Sequence, residues 1–143
     1  MNQKIINEIR NKATAYWKDL IGIVMFGSCV KGKRYNDIDL LIVLDKIKKN
    51  IVERIGEGVD FKRTIELKKP VDVILLSREE CFFNFRNHNP MYLDIALDGK
   101  VICDDGTLKN LIDETKRDLK RRNITRDGTK WLFPVKMGIA SPI

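Results

Sequence analysis

The chain has 143 residues but only one histidine, His88, and three scattered cysteines, Cys29, Cys81 and Cys103, with no Cys-x-x-Cys pair among them. So thin a supply of soft ligands excludes a structural zinc site, which needs four clustered Cys or His side chains. It also excludes a disulfide framework, and the thiols read as free in a reducing cytoplasm. No stretch approaches the roughly 18 apolar residues of a membrane span. Residues 1–4 lead into an amphipathic pattern instead of a secretory leader. Internal repeats and low-complexity tracts are absent as well. The expectation is a cytoplasmic protein with no membrane association. Acid is in deficit too: 20 Asp and Glu against 27 Lys and Arg leave a net charge of +7, which allows nucleic acid or an acidic protein as partner.

What remains is the material of one globular domain, large enough to bury most of the surface its unfolded chain exposes. Residues 3–19 carry Ile5, Ile6, Ile9, Ala13, Tyr16 and Leu20 at helical spacing. Apolar runs predict strands at 22–26 and 38–44, with a short helix or turn between them through Tyr35. The second strand is apolar on both faces beyond Asp39, so it is expected to be central and covered. Between 46 and 69 the pattern is ambiguous: Ile47, Ile51, Val52 and Ile55 suggest a helix, Gly56 and Gly58 suggest its break, and 59–67 either continues as helix or forms an extended piece. Pro70 then introduces a third strand at 71–76. Ser77 and Glu80 form a capping-box pattern opening a helix over 78–86. Asn89-Pro90 starts a further helix at 91–97. Asp98-Gly99 is a turn signal before a short strand at 100–103, and Thr107 caps a helix to about Arg122, with Leu108, Leu111, Ile112, Thr115 and Leu119 inward.

The fold class expected from this order is α/β (α+β), a mixed central sheet of about three to five strands with helices mainly on one side. Residues 1–122 form the domain. Residues 123–143 form a C-terminal segment in which Trp131, Leu132 and Phe133 fold back on the core as an edge strand, with 137–143 frayed.

The chemistry concentrates between residues 26 and 40. Phe26-Gly27-Ser28 ends one apolar run, eight residues follow, and Asp37-Ile38-Asp39 opens the next. Side chains two apart on a strand share a face, so Asp37 and Asp39 aim together with Cα atoms roughly 6.6–6.8 Å apart. Two such carboxylates can straddle a metal pair about 3.5–4 Å apart. Their hard oxygens suit Mg²⁺, which takes one or two carboxylates and completes its shell with water and phosphate. Gly27 permits a tight turn and close approach of backbone to a phosphate, and Ser28 adds a hydroxyl and an N–H at a helix start. Asp72, the single acid in the run 71–76, is the natural third ligand, because a charge in a buried strand is costly unless paired or metal-bound. Each piece has an ordinary explanation alone: a turn, a solvated strand edge, a cap after Pro70. In order and together they point to two-metal phosphoryl or nucleotidyl transfer.

These residues resemble the nucleotidyltransferase superfamily that includes DNA polymerase beta, and most of all its small prokaryotic minimal nucleotidyltransferases. The pattern is an apolar residue, Gly-Ser, a spacer, Asp-x-Asp and a later Asp, here Phe26, Gly27, Ser28, Asp37, Asp39 and Asp72. The spacer is shorter than is usual there, and Asn36 stands where Ser is usual. The resemblance implies the nucleotidyltransferase fold and two Mg²⁺ ions held by Asp37, Asp39 and Asp72. It implies that Gly27 and Ser28 bind the β and γ phosphates of ATP or another nucleoside triphosphate. It further implies transfer of a nucleoside monophosphate, AMP, to a hydroxyl. Minimal nucleotidyltransferases are commonly paired with HEPN-type proteins, and as antitoxins they can add AMP to a tyrosine of a ribonuclease toxin.

Other features are weaker. Lys31, Lys33 and Arg34 are either a clamp on triphosphate charge or an exposed basic loop. His88 reads more as a turn residue than as a substrate contact. Phe82, Phe83 and Phe85 read as core and rim more than as a base platform. Residues 116–126 hold six cations against Asp118; these weigh more as a helix end favoured by the dipole than as a nucleic-acid surface. The rival functional classes are a non-catalytic nucleotide- or partner-binding module and an RNA-binding protein using this segment.

Overall fold

The computed structural model describes residues 2–32, 34–47 and 50–134. Five helices and a four-stranded sheet form its body. In chain order these are α1 (Gln3–Tyr16), β1 (Leu20–Phe26), a single 3₁₀ turn (Gly27–Val30), β2 (Ile38–Leu44), α2 (Ile51–Thr64), β3 (Val71–Ser77), α3 (Arg78–Arg86), α4 (Pro90–Asp98), β4 (Lys100–Asp104) and α5 (Thr107–Arg121). A hairpin, β5 (Thr125–Asp127) and β6 (Lys130–Leu132), follows. The sheet order is β3-β2-β1-β4. β1 runs antiparallel to β2 and β4, and β2 runs parallel to β3. The α2 connection makes that parallel pairing possible, since parallel neighbours need a crossover.

Strand alternation sorts the apolar residues into two cores. Ile38, Leu40, Ile42 and Leu44 of β2 join Ile6, Ile9 and Ala13 of α1 and Phe61 of α2 on one face. Leu41 and Val43 face the other way, against Cys81 and Phe85 of α3, Ile95 of α4 and Leu108 and Leu111 of α5. The mixed sheet is as the sequence implies, but the helices are not mainly on one side. Two cover one face and three cover the other. The cause is the unbroken apolar run of β2, which is buried along residues 40–44 and needs a layer on each side. Each such side chain contributes about 1.5–3 kcal/mol on leaving water.

Local signals explain most boundaries. Asn2 and Asn50 cap α1 and α2. The Ser77–Glu80 capping box closes reciprocally: the Ser77 N–H donates to Glu80 Oε1 at 2.9 Å, and the Glu80 N–H donates to Ser77 Oγ at 3.1 Å. Of the two readings left open for 59–67, continued helix holds as far as Thr64: α2 passes Gly56 and Gly58 because fully buried Phe61 anchors its last turn and helix-interior glycines cost only about 1 kcal/mol each. One expectation fails at a helix start. Thr107 is the first residue of α5 and not its cap. Asp104 accepts from the Leu108 and Lys109 N–H groups at 2.9 and 2.8 Å, and Asp105 accepts from Thr107 at 2.9 Å. Carboxylates serve the positive end of a helix better than a hydroxyl does.

The C-terminal segment does not extend the main sheet as an edge strand. It pairs with itself, and Ile124, Trp131 and Phe133 pack on Leu93 and Leu119. Residues 137–143, expected to fray, lie outside the described residues. Among the described residues no helix is long and apolar enough to cross a membrane.

Candidate active site

Sheet register gathers the three predicted acids at one end of the sheet. Asp39, the second residue of β2, sits opposite Phe26 on one side and opposite Asp72 on the other. Asp37 immediately precedes β2. By strand alternation Asp39 and Asp72 share the face that carries α3, α4 and α5. The Ile38 N–H donates to the Pro70 carbonyl at 3.0 Å, fixing the level at which β3 begins. Pro70 thus sets where Asp72 stands.

Gly27 closes the site from β1. Its φ is +79°, and a Cβ there would lie 2.4 Å from Asp39 Oδ2. Only glycine leaves room for that carboxylate and accepts the left-handed backbone without strain. The sequence reading gave Gly27 to a phosphate; the structure adds a nearer reason, the space that Asp39 occupies. Ser28 is exposed, on a 3₁₀ turn of four residues instead of the start of a longer helix, so its anion-binding capacity comes from local N–H groups and its hydroxyl. Cys29 turns inward and its thiol donates to the Phe26 carbonyl at 3.2 Å.

Among the described residues no hydrogen bond or ion pair occupies the carboxylates of Asp37, Asp39 or Asp72. Burial pushes the Asp39 carboxyl above its ordinary value, and the charges of Asp72 and Asp37 push it further. In a chain with a net charge of +7 this is an uncompensated negative end. Among the described residues no three His, Cys, Asp or Glu side chains already converge as a cage. Mg²⁺ is held by one or two carboxylates and draws its other ligands from water and substrate phosphates, and the side-by-side Asp39 and Asp72 supply that number. The donor set is hard oxygen, as that ion requires.

The flanking candidates divide. Lys31 Nζ lies 3.7 Å from Asp98 Oδ2 at the end of α4. Lys33 lies outside the described residues, and Arg34 is exposed. Asp98 belongs to a network that the sequence reading missed. Arg126 of β5 grips it through two bonds, at 2.7 and 3.1 Å, and also reaches Asp94 at 3.0 Å. Trp131 Nε1 donates to Asp94 at 3.0 Å. Hydrogen bonds from Arg126 hold the Asp98 carboxyl below the usual range despite partial burial. The spacing of Asp94 and Asp98, four apart on one helix face, was the available signal. It was masked because Asp98-Gly99 read as a turn and Arg126 as one more basic residue.

His88 is not part of the acidic site. With φ of +56° it is a turn residue whose Nε2 lies 2.6 Å from Asp118 Oδ2. Asp118 also takes Arg121 and Arg122. Phe85 is core, Phe82 lies half-buried under the Arg86 guanidinium, and Phe83 is exposed.

The family of this fold follows from comparison with known proteins. Residues 6–103 match the model of the nucleotidyltransferase domain family, and the chain belongs to that family. No curated protein matches it. Among solved structures, it is similar to a chain of the complex of a tri-AMPylated Shewanella oneidensis HEPN toxin with MNT antitoxin. That likeness has a TM-score of 0.53 and 17% identity, covering 86% of this chain and 93% of the other. A toxin-antitoxin structure with AMP-PNP gives a TM-score of 0.51 and 17% identity over 82% of this chain and 92% of that one. At these identities the likeness is one of fold.

Proposed function

We propose that this chain is a metal-dependent nucleotidyltransferase that moves AMP from ATP to a hydroxyl of a partner protein, as the antitoxin member of a pair with a HEPN-type toxin in the cytoplasm. The observation that carries the reading is the register that sets Asp39 beside Asp72 and against Gly27, with Asp37 at the head of the same strand. The toxin pairing is supported by the kind of complexes the fold resembles. Residues 1–122 form the catalytic domain in this reading, and the hairpin of 123–134 braces it.

Asp37, Asp39 and Asp72 would hold Mg²⁺, which supplies neutralising charge along the triphosphate and acidity to the acceptor hydroxyl. Ser28 donates through its hydroxyl and N–H to the distal phosphates. Lys31 exchanges its partly exposed contact with Asp98 for the same phosphates, and Lys33 adds to this charge. Asp72, exposed on the outer strand, faces the acceptor and takes its proton. The acceptor oxygen bonds to the α-phosphorus, the α–β bridging P–O bond breaks, and pyrophosphate leaves with the electron pair. Arrangement of the in-line geometry is the main contribution expected of the protein.

Incubation with ATP labelled at the α-phosphate, Mg²⁺ and the product of the neighbouring gene should label that protein on Tyr, Ser or Thr. Labelling of tRNA or a small alcohol alone would remove the antitoxin role and leave the transferase. No labelling of any acceptor, with no pyrophosphate released, would remove both.

A further inference from the structure

β3 is the outer strand of the sheet, so among the described residues one edge of its main chain has no strand neighbour. Two shallow clefts, of about 200 and about 470 Å³, share Lys62 and together follow this strand from Asp72 to Leu75. Their floor is apolar, with Val71, Val73 and Leu75 of β3 and Ile65 and Leu67 of the preceding loop.

The α2 wall is apolar where solvent should favour polar residues. Ile55 lines the groove at 60% exposure, and Ile51 and Val52 beyond it are 63% and 72% exposed. Gly58, also on this wall, sits inside a helix, and a Cβ there would meet nothing within 4 Å. Packing among the described residues explains neither the exposed aliphatics nor the glycine. Both fit a surface kept open for another backbone.

The rim is basic. Lys62 and Lys68 have no acidic partner among the described residues, whereas Lys69 is held by the Tyr35 carbonyl at 2.5 Å and by its ring. Arg54 pairs with Glu80 at 2.9 Å, yet its buried Nε has no acceptor. The single acid lining the groove is Asp72, at one end.

We infer that the α2/β3 groove docks an extended, acidic segment of the acceptor protein, laid along the free edge of β3 so that its hydroxyl residue reaches Asp72. This rests on the reading of Asp72 as part of the transfer site. A polypeptide fits better than a nucleic acid for two reasons. The unpaired cations are lysines, point charges without the planar fork that matches phosphate. The floor takes alternate apolar side chains, as strand addition does. Half the cations of the basic 116–126 segment are committed elsewhere: Arg126 pairs with Asp98 and Asp94, and Arg121 and Arg122 pair with Asp118.

The test is fluorescence anisotropy in EDTA, without nucleotide. The probe is a labelled peptide of about ten residues that alternates glutamate with leucine or valine around one tyrosine. It is compared with versions carrying glutamine or lysine in place of glutamate. The glutamate peptide should bind at least about tenfold more tightly than the glutamine one, with an affinity that falls as salt rises. Lys62→Glu with Lys68→Glu should weaken it about tenfold or more, and Lys116→Glu with Arg117→Glu should leave it unchanged. Gly58→Leu fills the groove without altering charge. It should weaken binding while the melting temperature holds or rises, which separates docking from folding.

Absence of binding, binding blind to peptide charge, loss caused by the 116/117 pair alone, or tighter binding of a labelled oligouridylate in the groove would each overturn the proposal. Calorimetry with Mg²⁺ and ATP on the same preparation separates it from the transfer reading. ATP binding with charge-blind peptide binding overturns the groove alone. Selective peptide binding with no ATP binding overturns the transfer reading, and with it the role of the docked segment as acceptor.

Discussion

Two regions of this molecule place aspartates in opposite electrostatic states. At the sheet end, Asp37, Asp39 and Asp72 stand together with no cation on their carboxylates among the described residues, and Asp39 is pushed upward by burial and by the other two. On α5, burial also pushes Asp118 up, but bonds from His88, Arg121 and Arg122 outweigh it and hold the carboxyl at about 2. One region carries acids with no cation on them among the described residues; the other has its charge neutralised within the chain. Three of the six cations in 116–126, namely Arg121, Arg122 and Arg126, are held in ion pairs within the fold.

Asp39→Asn breaks the comparison most severely. Transfer should fall by about a thousandfold or more, in the range expected when a main electrostatic element is lost. A raised carboxyl destabilises the fold when ionised: its benefit is complete below the unfolded value and is lost as pH rises through the folded one. The metal-free variant should therefore melt at the same or a higher temperature than the parent at neutral pH. Melts at neutral pH and near pH 4 check this, and the advantage should shrink at the acidic value.

Asp118→Asn should do the reverse. A carboxyl held low stabilises above its unfolded value, and that stability is lost as pH falls toward about 2. Allowing for solvent around Arg121 and Arg122, the loss at neutral pH is about 1–2 kcal/mol, with transfer preserved. Urea unfolding at pH 7 and pH 3 measures it.

Smaller effects sharpen the contrast. Asp98→Asn loosens Lys31 from α4, and ATP should bind modestly more tightly, with AMP unchanged. Titration calorimetry with both nucleotides distinguishes these. Gly58→Ala should stabilise α2 by about 0.5–1 kcal/mol, since nothing stands where the methyl would go. A thermal melt reads it.

Much of this was legible in the sequence because local chemistry and tertiary demand agree there. The run 38–44 could only be a covered strand, and Gly27, Asp37, Asp39 and Asp72 were singled out by type and spacing. The covering of both faces was implicit in the apolar run of β2, yet no local signal assigned the five predicted helices to faces, and they were expected mainly on one side. The end of α2 stayed open in the sequence because two glycines signal a break locally, whereas buried Phe61 decides the matter through tertiary packing. Arg126, Asp94 and Asp98 were illegible for a different reason. An ion-pair network joining residues some thirty positions apart leaves no periodic trace, so charge alone made Arg126 look like a surface residue.

The central claim is that the sheet-end acids form the one carboxylate group poised for Mg²⁺ and nucleotide. Calorimetric titration of Mg²⁺ with a non-hydrolysable ATP analogue into the parent, Asp39→Asn and Asp118→Asn tests it directly. The account predicts saturable, Mg²⁺-dependent binding to the parent and to Asp118→Asn, with loss of that dependence in Asp39→Asn. Equal Mg²⁺-dependent binding by all three proteins, or none by the parent, would contradict it.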